Sequence, residues 1–471
     1  MREYEFVIDE ALLAGLTPFD INKFNLPVLN EALGFRVGKG QLELYGEKAD
    51  PLSPALDWYY DWPFPQYMAS DYWNILVIRD TVNQEDDVYY VSDDHATVIP
   101  IFSVDELTFG KGGLMEIADF GEYLLMGNGV CMIHWDPALV AWVAFRDSAT
   151  IPVMGTICSF KGQAVGGNVT GIWNGAAFVA WHDCDETFYI WSKIGEMDFT
   201  PDNKNTAGYR RCPYGGEVLN VRRLINKVVS YSTKGITLLT PVIDPSVTFG
   251  FSELSDVGLI NKGAVGCGPR RHIYVGEDYR LREITDEGIK ELGYQQYMER
   301  LVEDIVVTYD PINKDFYIGD SFTTFLLSPQ GLSEVPQHPS AVWKKDKVTY
   351  MIPDTVDDYE ALITSEAFDL EYRGNKTIFS VESDILVVDN PQVAIDYYLS
   401  LTAYGTSDYK PVNNEGICAI IASGSAFRVN LKFDPTYDNT RIGYIKVRYK
   451  MTDLRGLRGV YAPAPRGQYK G

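Results

Sequence analysis

The sequence predicts an all-β protein, a six- to seven-bladed β-propeller followed by a C-terminal β-sandwich with one short inserted helix. Three observations predict it. Aromatic residues make up 13% of the chain, with 31 Tyr, 22 Phe and 9 Trp, and that excess favours strands over helices. Between residues 70 and 355, six or seven hairpin units follow one another with Gly, Asn and Asp at their turns, which suits a propeller better than a two-layer sandwich. Beyond Pro353 the text shifts to strands whose side chains alternate in polarity, as in a sheet with one buried and one solvated face.

The expected domains are an N-terminal arm with loops at 1–68, a candidate to close the propeller; the propeller at 69–355; the sandwich at 356–460; and a mobile tail at 461–471. The first ten residues carry acids where a signal peptide needs an apolar run, so a product of a reducing cytoplasm is expected. Residues 17–46 offer at most a short helix, Val28–Leu33, closed by Gly34. Pro51, Pro54, Pro63 and Pro65 then stand among Trp58, Tyr59, Tyr60 and Trp62. Prolines at that density prevent a central strand. The segment reads as an extended arm packed by its own rings, or as an exposed assembly contact.

From Tyr72 the hairpins begin. Tyr72–Asp80 and Asp87–Asp93 flank a polar turn, and Asn128-Gly129 and Asn174-Gly175 each lie between apolar runs, a strong hairpin signal. Next comes Phe188–Trp191, a polar loop reaching Gly208, and strands Leu224–Ser230 and Gly235–Thr240 joined by the turn Tyr231–Lys234. Further turns are expected at Gly276–Asp278, Pro311–Lys314 and Lys345-Asp346. The inserted helix is placed at Thr285–Asp304, with Ile289, Leu292, Tyr297, Leu301 and Val302 on one face and Thr285 as N-cap. In the last strand, Ile442, Tyr444, Ile445, Val447 and Tyr449 mostly face one way and Lys446, Arg448 and Lys450 the other.

Net charge is −24, from 41 Lys+Arg against 65 Asp+Glu, so general attraction to nucleic acid or to an anionic membrane is not expected. From Arg441 to Gly471 eight basic residues face Asp453 alone, a local +7, and the rest of the chain therefore carries −31. Such asymmetry points to a C-terminal end that docks on an acidic surface, or to an exposed basic strand. The six cysteines, at 131, 158, 184, 212, 267 and 418, form no Cys-x-x-Cys pair, and read as small buried hydrophobes rather than metal ligands. The longest apolar stretch, Ala138–Phe145, is too short to span a bilayer.

Catalytic signatures are sparse. No Gly-x-Ser-x-Gly, His-Glu-x-x-His or Gly-x-x-x-x-Gly-Lys occurs. Asp183, Asp185 and Glu186 beside His182, and Asp93-Asp94-His95, are the acid/base or metal candidates a propeller hydrolase would need. Both sets sit at strand ends, where acids commonly line turns. Histidines 95, 134, 182, 272 and 338 show no ligand spacing. The residues therefore predict no catalytic group, metal or cofactor.

Three segments carry a family likeness: Trp191–Gly208, Gly258–Thr285 and Ile363–Ile385. In pattern and order they resemble the propeller-bearing tail hub, or packaged-DNA-stabilisation, proteins of short-tailed bacteriophages. The likeness covers roughly residues 70 to 455. It implies a virion protein made in the host cytoplasm, not an enzyme, that forms a ring with itself, a hexamer being expected. The ring closes the portal channel, retains packaged DNA, and joins the portal-adaptor protein to tail fibre or needle proteins. Genomic DNA would pass through without sequence recognition, and the acidic balance suits a lumen that must not hold phosphates. Candidate subunit or partner contacts are Arg210, Arg211, Arg222, Arg223, Arg441, Arg448, Arg455 and Arg458. The rival readings are a propeller glycoside hydrolase and a carbohydrate- or receptor-binding protein of the tail tip.

Overall fold

The computed structural model describes residues 3–9, 14–18, 29–45, 66–69, 73–80, 84–92, 97–109, 111–120, 123–136, 141–146, 148–202, 205–244, 247–302, 304–337, 339, 341–345, 348–352, 359–370, 374–384, 390–399, 403–433 and 441–452. The proline- and aromatic-rich arm, Asp93-Asp94-His95, Arg455, Arg458 and the tail lie outside them. The described chain is all-β, built of many small antiparallel sheets. Two compact units are present: unit 1 is Met1–Lys48, Thr323–His338 and Thr355–Gly471, and unit 2 is Ala49–Phe322 and Pro339–Asp354.

Unit 2 is a succession of meanders. Sheet I is Gln66–Ala69, Asn74–Asp80, Glu85–Val91 and Val98–Asp105; sheet II is Glu116–Phe120, Tyr123–Gly127, Met132–Asp136 and Ala141–Phe145. Sheet III is Val153–Phe160, Gln163–Trp173, Phe188–Trp191 and Gly208–Arg211, with Phe178–Val179 paired to the end of its second strand. Sheet IV is Val218–Leu224, Lys227–Ser232, Gly235–Asp244 and Val247–Ser255, and sheet V is Val265–Cys267, Arg271–Val275, Leu281–Thr285 and Gly288–Gly293. The paired strands Val306–Tyr309 and Phe316–Gly319 are the part of a longer sheet that belongs to unit 2, designated sheet VI, and Ala341–Lys345 with Val348–Ile352 makes sheet VII.

The first strands of successive sheets pack on one another, II on III, III on IV, IV on V, V on VI, VI on VII, and VII on I. Apolar clusters fill the spaces between sheets. Ile75, Val77 and Val88 of sheet I meet Leu124, Met126 and Ile133 of sheet II; Tyr189 and Trp191 of sheet III meet Val221, Val228 and Phe249 of sheet IV. Strands buried on both faces cannot show strict alternation, which is why these read as short apolar runs.

In unit 1 the first strand, Glu3–Ile8, pairs with Ile445–Met451, followed by Lys376–Ser383 and Ile417–Gly424. A second sheet runs through Thr324–Leu327, Leu332–Val335, Leu29–Leu33, Ala361–Ser365, Ala426–Phe433, Gln392–Tyr398 and Tyr404–Thr406. Phe6 stacks on Phe368, whose backbone exchanges hydrogen bonds with Phe427 of that second sheet. The N-terminal segment expected as an arm thus supplies strands to the sheets of the C-terminal region.

Several expected turns stand where the sequence placed them. Asn128-Gly129 joins two strands of sheet II, Asn174-Gly175 begins the loop to Phe178–Val179, and Gly276–Asp278 lies between strands of sheet V. Other expectations are corrected. Of the helix expected at Val28–Leu33, Val28 lies outside the described residues and Leu29–Leu33 is a strand paired with Ala361–Ser365, Leu29 and Ala32 being buried there. Within Thr285–Asp304, Gly288–Gly293 is the edge strand of sheet V, and helix is limited to Gln295–Met298. Gly288 at φ +132° turns the chain back so that Ile284 pairs with Ile289, and left-handed Gly293 and Tyr294 end the strand. Leu224–Ser230 is likewise divided, since Ile225 at φ +52° starts a turn and the next strand begins at Lys227.

Candidate functional site

A cavity of about 680 Å³ lies among the first strands of unit 2. The charged residues lining it are Glu116 from sheet II, Arg222 and Arg223 from sheet IV, and Lys262 from the turn into sheet V. Glu116 opens its strand at the end of an apolar run and is 3% exposed. One carboxylate oxygen, Oε2, accepts from Thr156 Oγ1 at 2.6 Å, Ile157 N at 2.9 Å and Arg222 Nη1 at 2.9 Å. Lys262 Nζ stands 3.5 Å from the other oxygen and donates to the carbonyls of Leu114 at 2.6 Å and Gly155 at 2.5 Å. Asn220 Nδ2 donates to Lys262 O at 3.0 Å, and Val221 N to Thr156 Oγ1 at 2.9 Å. Sheets II, III and IV and the approach to V are therefore joined through one carboxylate and its neighbours.

The electrostatics follow from this geometry. Burial pushes the Glu116 carboxyl up, but the Arg222 and Lys262 charges and the Thr156 and Ile157 hydrogen bonds outweigh it, and its pKa lies below the usual value. Burial pushes Lys262 down, with Glu116 only partly opposing it. Burial likewise lowers Arg222, but Glu116 more than offsets this and raises it. Cys158 and Cys267 are pushed up to about 12, chiefly by burial, which keeps both thiols protonated and poor nucleophiles. Glu116 is thus a fixed carboxylate in a cationic setting.

Behind Arg223 sits His272, fully buried. Its Nε2 is 3.0 Å from Arg223 O and its Nδ1 is 2.8 Å from Tyr231 Oη. A carbonyl only accepts, so Nε2 carries the hydrogen and Nδ1 accepts from the tyrosine. Burial holds the imidazole pKa down to about 4, against the opposing pull of the Arg223 carbonyl. This neutral ring pins the backbone from which Arg223 enters the cavity wall.

Of the arginines singled out from sequence, Arg222 and Arg223 line the cavity, but as consecutive residues of one strand their side chains leave on opposite faces, Arg222 to Glu116 and Arg223 to Ile225 O. Arg210 and Arg211 are exposed on the edge strand Gly208–Arg211, Arg210 lying over the Phe251 ring and Arg211 Nε donating to Thr187 Oγ1 at 3.1 Å. In unit 1, Arg448 is bound to Glu5 at 3.1 Å and Glu382 at 2.5 Å, while Arg441 is exposed. The acid cluster of sheet III is a turn: Asp185 Oδ1 accepts from Thr187 N at 2.9 Å, and His182 and Asp183 have φ of 49° and 59°. His182 packs between Trp181 and Tyr209, and His134 against Phe145. All six cysteines are free and five are buried.

Sequence reading passed over Glu116, Lys262 and Asn220. The one available signal was an acid between apolar neighbours, Glu116 within Leu114-Met115-Glu116-Ile117-Ala118; a buried carboxylate needs partners, but its partners came from segments far along the chain. Among the described residues no group of three or more His, Cys, Asp or Glu is placed to hold a metal ion, and no helix is long and apolar enough to cross a membrane. No protein-family model matches this chain, and no curated protein does. Among solved structures, Hsv2 of Kluyveromyces lactis is similar at 11% identity over 60% of this chain and 94% of that one, with a TM-score of 0.27.

Proposed function

We propose that the chain is a structural tail hub subunit of a short-tailed bacteriophage, with unit 2 a seven-bladed β-propeller and unit 1 a β-sandwich. The propeller reading is supported by the chain of first-strand contacts that runs from sheet II to sheet VII and on to sheet I, with an apolar cluster between sheets I and II. That arrangement leaves only short outer edges, as radial repetition of small sheets does. The hub reading rests on one observation above all. The three segments that resemble the family fall in both units: Trp191–Gly208 runs from the third to the fourth strand of sheet III, Gly258–Thr285 carries three strands of sheet V, and Ile363–Ile385 takes in the end of Ala361–Ser365 and the strand Lys376–Ser383 of unit 1. The net charge of −24 fits a ring whose lumen lets DNA slide past.

The chemistry of the cavity supports a non-enzymatic role. A carboxylate that accepts three hydrogen bonds, one of them from Arg222, with Lys262 beside it, has no proton to donate and is a weak base at neutral pH, and Asp185 serves a turn. In this proposal the subunits form a ring, with a hexamer expected, between the portal-adaptor and the fibre or needle proteins. The test is native mass by light scattering, with particle imaging of the chain alone and mixed with the remaining tail proteins. A ring, or a monomer that becomes a ring on the tail, supports the hub. A trimer would favour a receptor-binding protein, and a stable monomer that never enters the particle would remove the hub reading.

A further inference from the structure

The sequence holds two Asn-Gly pairs, Asn128-Gly129 and Asn174-Gly175, and the fold gives them opposite settings. In both, the asparagine side chain bends back over its own turn. Asn128 Oδ1 accepts from Val130 N and Cys131 N, each at 3.3 Å, and Asn174 Oδ1 from Ala176 N at 3.0 Å and Ala177 N at 2.9 Å. Asn128 is 2% exposed, and its Nδ2 is buried against Gly112. Its backbone O also accepts from Gly113 N at 2.8 Å, and Gly129 O from Thr170 Oγ1 at 2.8 Å. That turn is held from several directions. Asn174, Gly175, Ala176 and Ala177 are all exposed. Gly175, at φ +96°, has nothing within 4 Å of where a Cβ would stand. Among the described residues, nothing accepts from the Gly175 N–H or from Asn174 Nδ2.

We propose that Asn174-Gly175 is a site of spontaneous deamidation and isoaspartate formation, from which the fold protects Asn128-Gly129. The Gly175 nitrogen, its proton taken by base from solvent, bonds to Asn174 Cγ. Negative charge then develops on Oδ1, where the Ala176 and Ala177 N–H groups already point and stabilise it. The Cγ–Nδ2 bond breaks, Nδ2 leaves as ammonia with a proton from water, and a succinimide ring remains. Water opens the ring at either carbonyl, giving aspartate or isoaspartate. In sum, amide plus water becomes acid plus ammonia, with no oxidant or reductant. Glycine suits the step because it has no Cβ to shield its nitrogen or restrict the turn. Isoaspartate adds one carbon to the backbone between Trp173 and Phe178, which pair across the hairpin and pack ring against ring at 5.2 Å. The modified chain gains a negative charge and loses the register of that pair.

Incubation of the full chain at mildly alkaline pH, followed by peptide mapping that separates asparagine, aspartate and isoaspartate, tests it. A sample unfolded in urea runs in parallel. In the folded chain residue 174 is expected to convert at least about tenfold faster than residue 128, whose reaction waits on local opening. In urea the two should convert at similar rates, because only the fold separates them. Asn174→Gln, which must close a larger ring, should remove the acidic species that accumulates in the folded parent on charge separation. A folded chain in which Asn174 stays intact, or in which Asn128 converts as fast, overturns the proposal. So does a urea sample in which Asn128 stays as slow as in the folded chain, since burial would then not be what protects it. Aspartate with no isoaspartate overturns the succinimide step.

Discussion

Glu116 shows how one side chain can join separate parts of a sheet stack. Glu116→Gln keeps its shape but removes the charge that faces Arg222 and Lys262, and breaking a buried pair in this way costs about 3 kcal/mol or more. Urea unfolding at neutral pH should show that loss. Its folded pKa lies below the usual value, so its stabilisation is present above the ordinary carboxylate range and is lost as pH falls through the folded pKa. The glutamine variant should lack that part of the acid limb. His272 acts in a higher window. Its pKa drops from 6.5 to about 4, so between those values the unfolded chain binds the extra proton. Stability then falls as pH is lowered across that window, by up to ~3 kcal/mol, and His272→Gln should flatten that slope in the same unfolding series.

At the scale of elements, the basic strand is the clearest revision. The alternation read from Ile445 to Lys450 is present, with Ile445, Val447 and Tyr449 buried. Its outward cations, however, meet acids within unit 1: Lys450 meets Glu3 at 2.9 Å, Arg448 meets Glu5 and Glu382, and Lys446 meets Glu382 at 2.9 Å. Three cations against three carboxylates leave that ladder neutral. Arg448→Glu should therefore destabilise unit 1 by roughly 1 kcal/mol or more, through repulsion added to lost pairs, as a lower thermal midpoint would show. Arg441→Glu, at an exposed position, should leave the midpoint unchanged and so remains the sharper probe of docking. Gly34 is a second element-scale case. It joins two strands at φ +79°, and a Cβ there would collide with the Tyr359 ring. Gly34→Ala should lower the same midpoint, because the strain and collision outweigh the up to ~1 kcal/mol that restricting the unfolded chain would contribute to stability.

At the scale of the whole molecule, the composition bears most on assembly. A chain of −24 repels copies of itself at low salt. If the hub proposal holds, light scattering across a salt series should show ring formation rising with ionic strength, as screening shortens the reach of that repulsion. A mass that stays monomeric at every salt concentration, with and without tail proteins, would count against self-assembly.

The sequence by itself determined the all-β class, the hairpin turns at Asn128-Gly129, Asn174-Gly175 and Gly276–Asp278, the buried state of most cysteines and the alternation of the last strand. Each of these is set by neighbours a few residues away, through turn conformation or the period-2 exposure of a strand. Tertiary structure decided the rest. Leu29–Leu33 is a strand because its partners lie at 361–365, and Gly288–Gly293 is a sheet edge although its apolar spacing also fits a helix. Glu3–Ile8 and Ile445–Met451, at opposite ends of the chain, neutralise each other's charges. The cavity's charge cluster draws on residues 116, 156, 222 and 262. Local spacing carries no record of such meetings, because charge pairing and sheet register act through space.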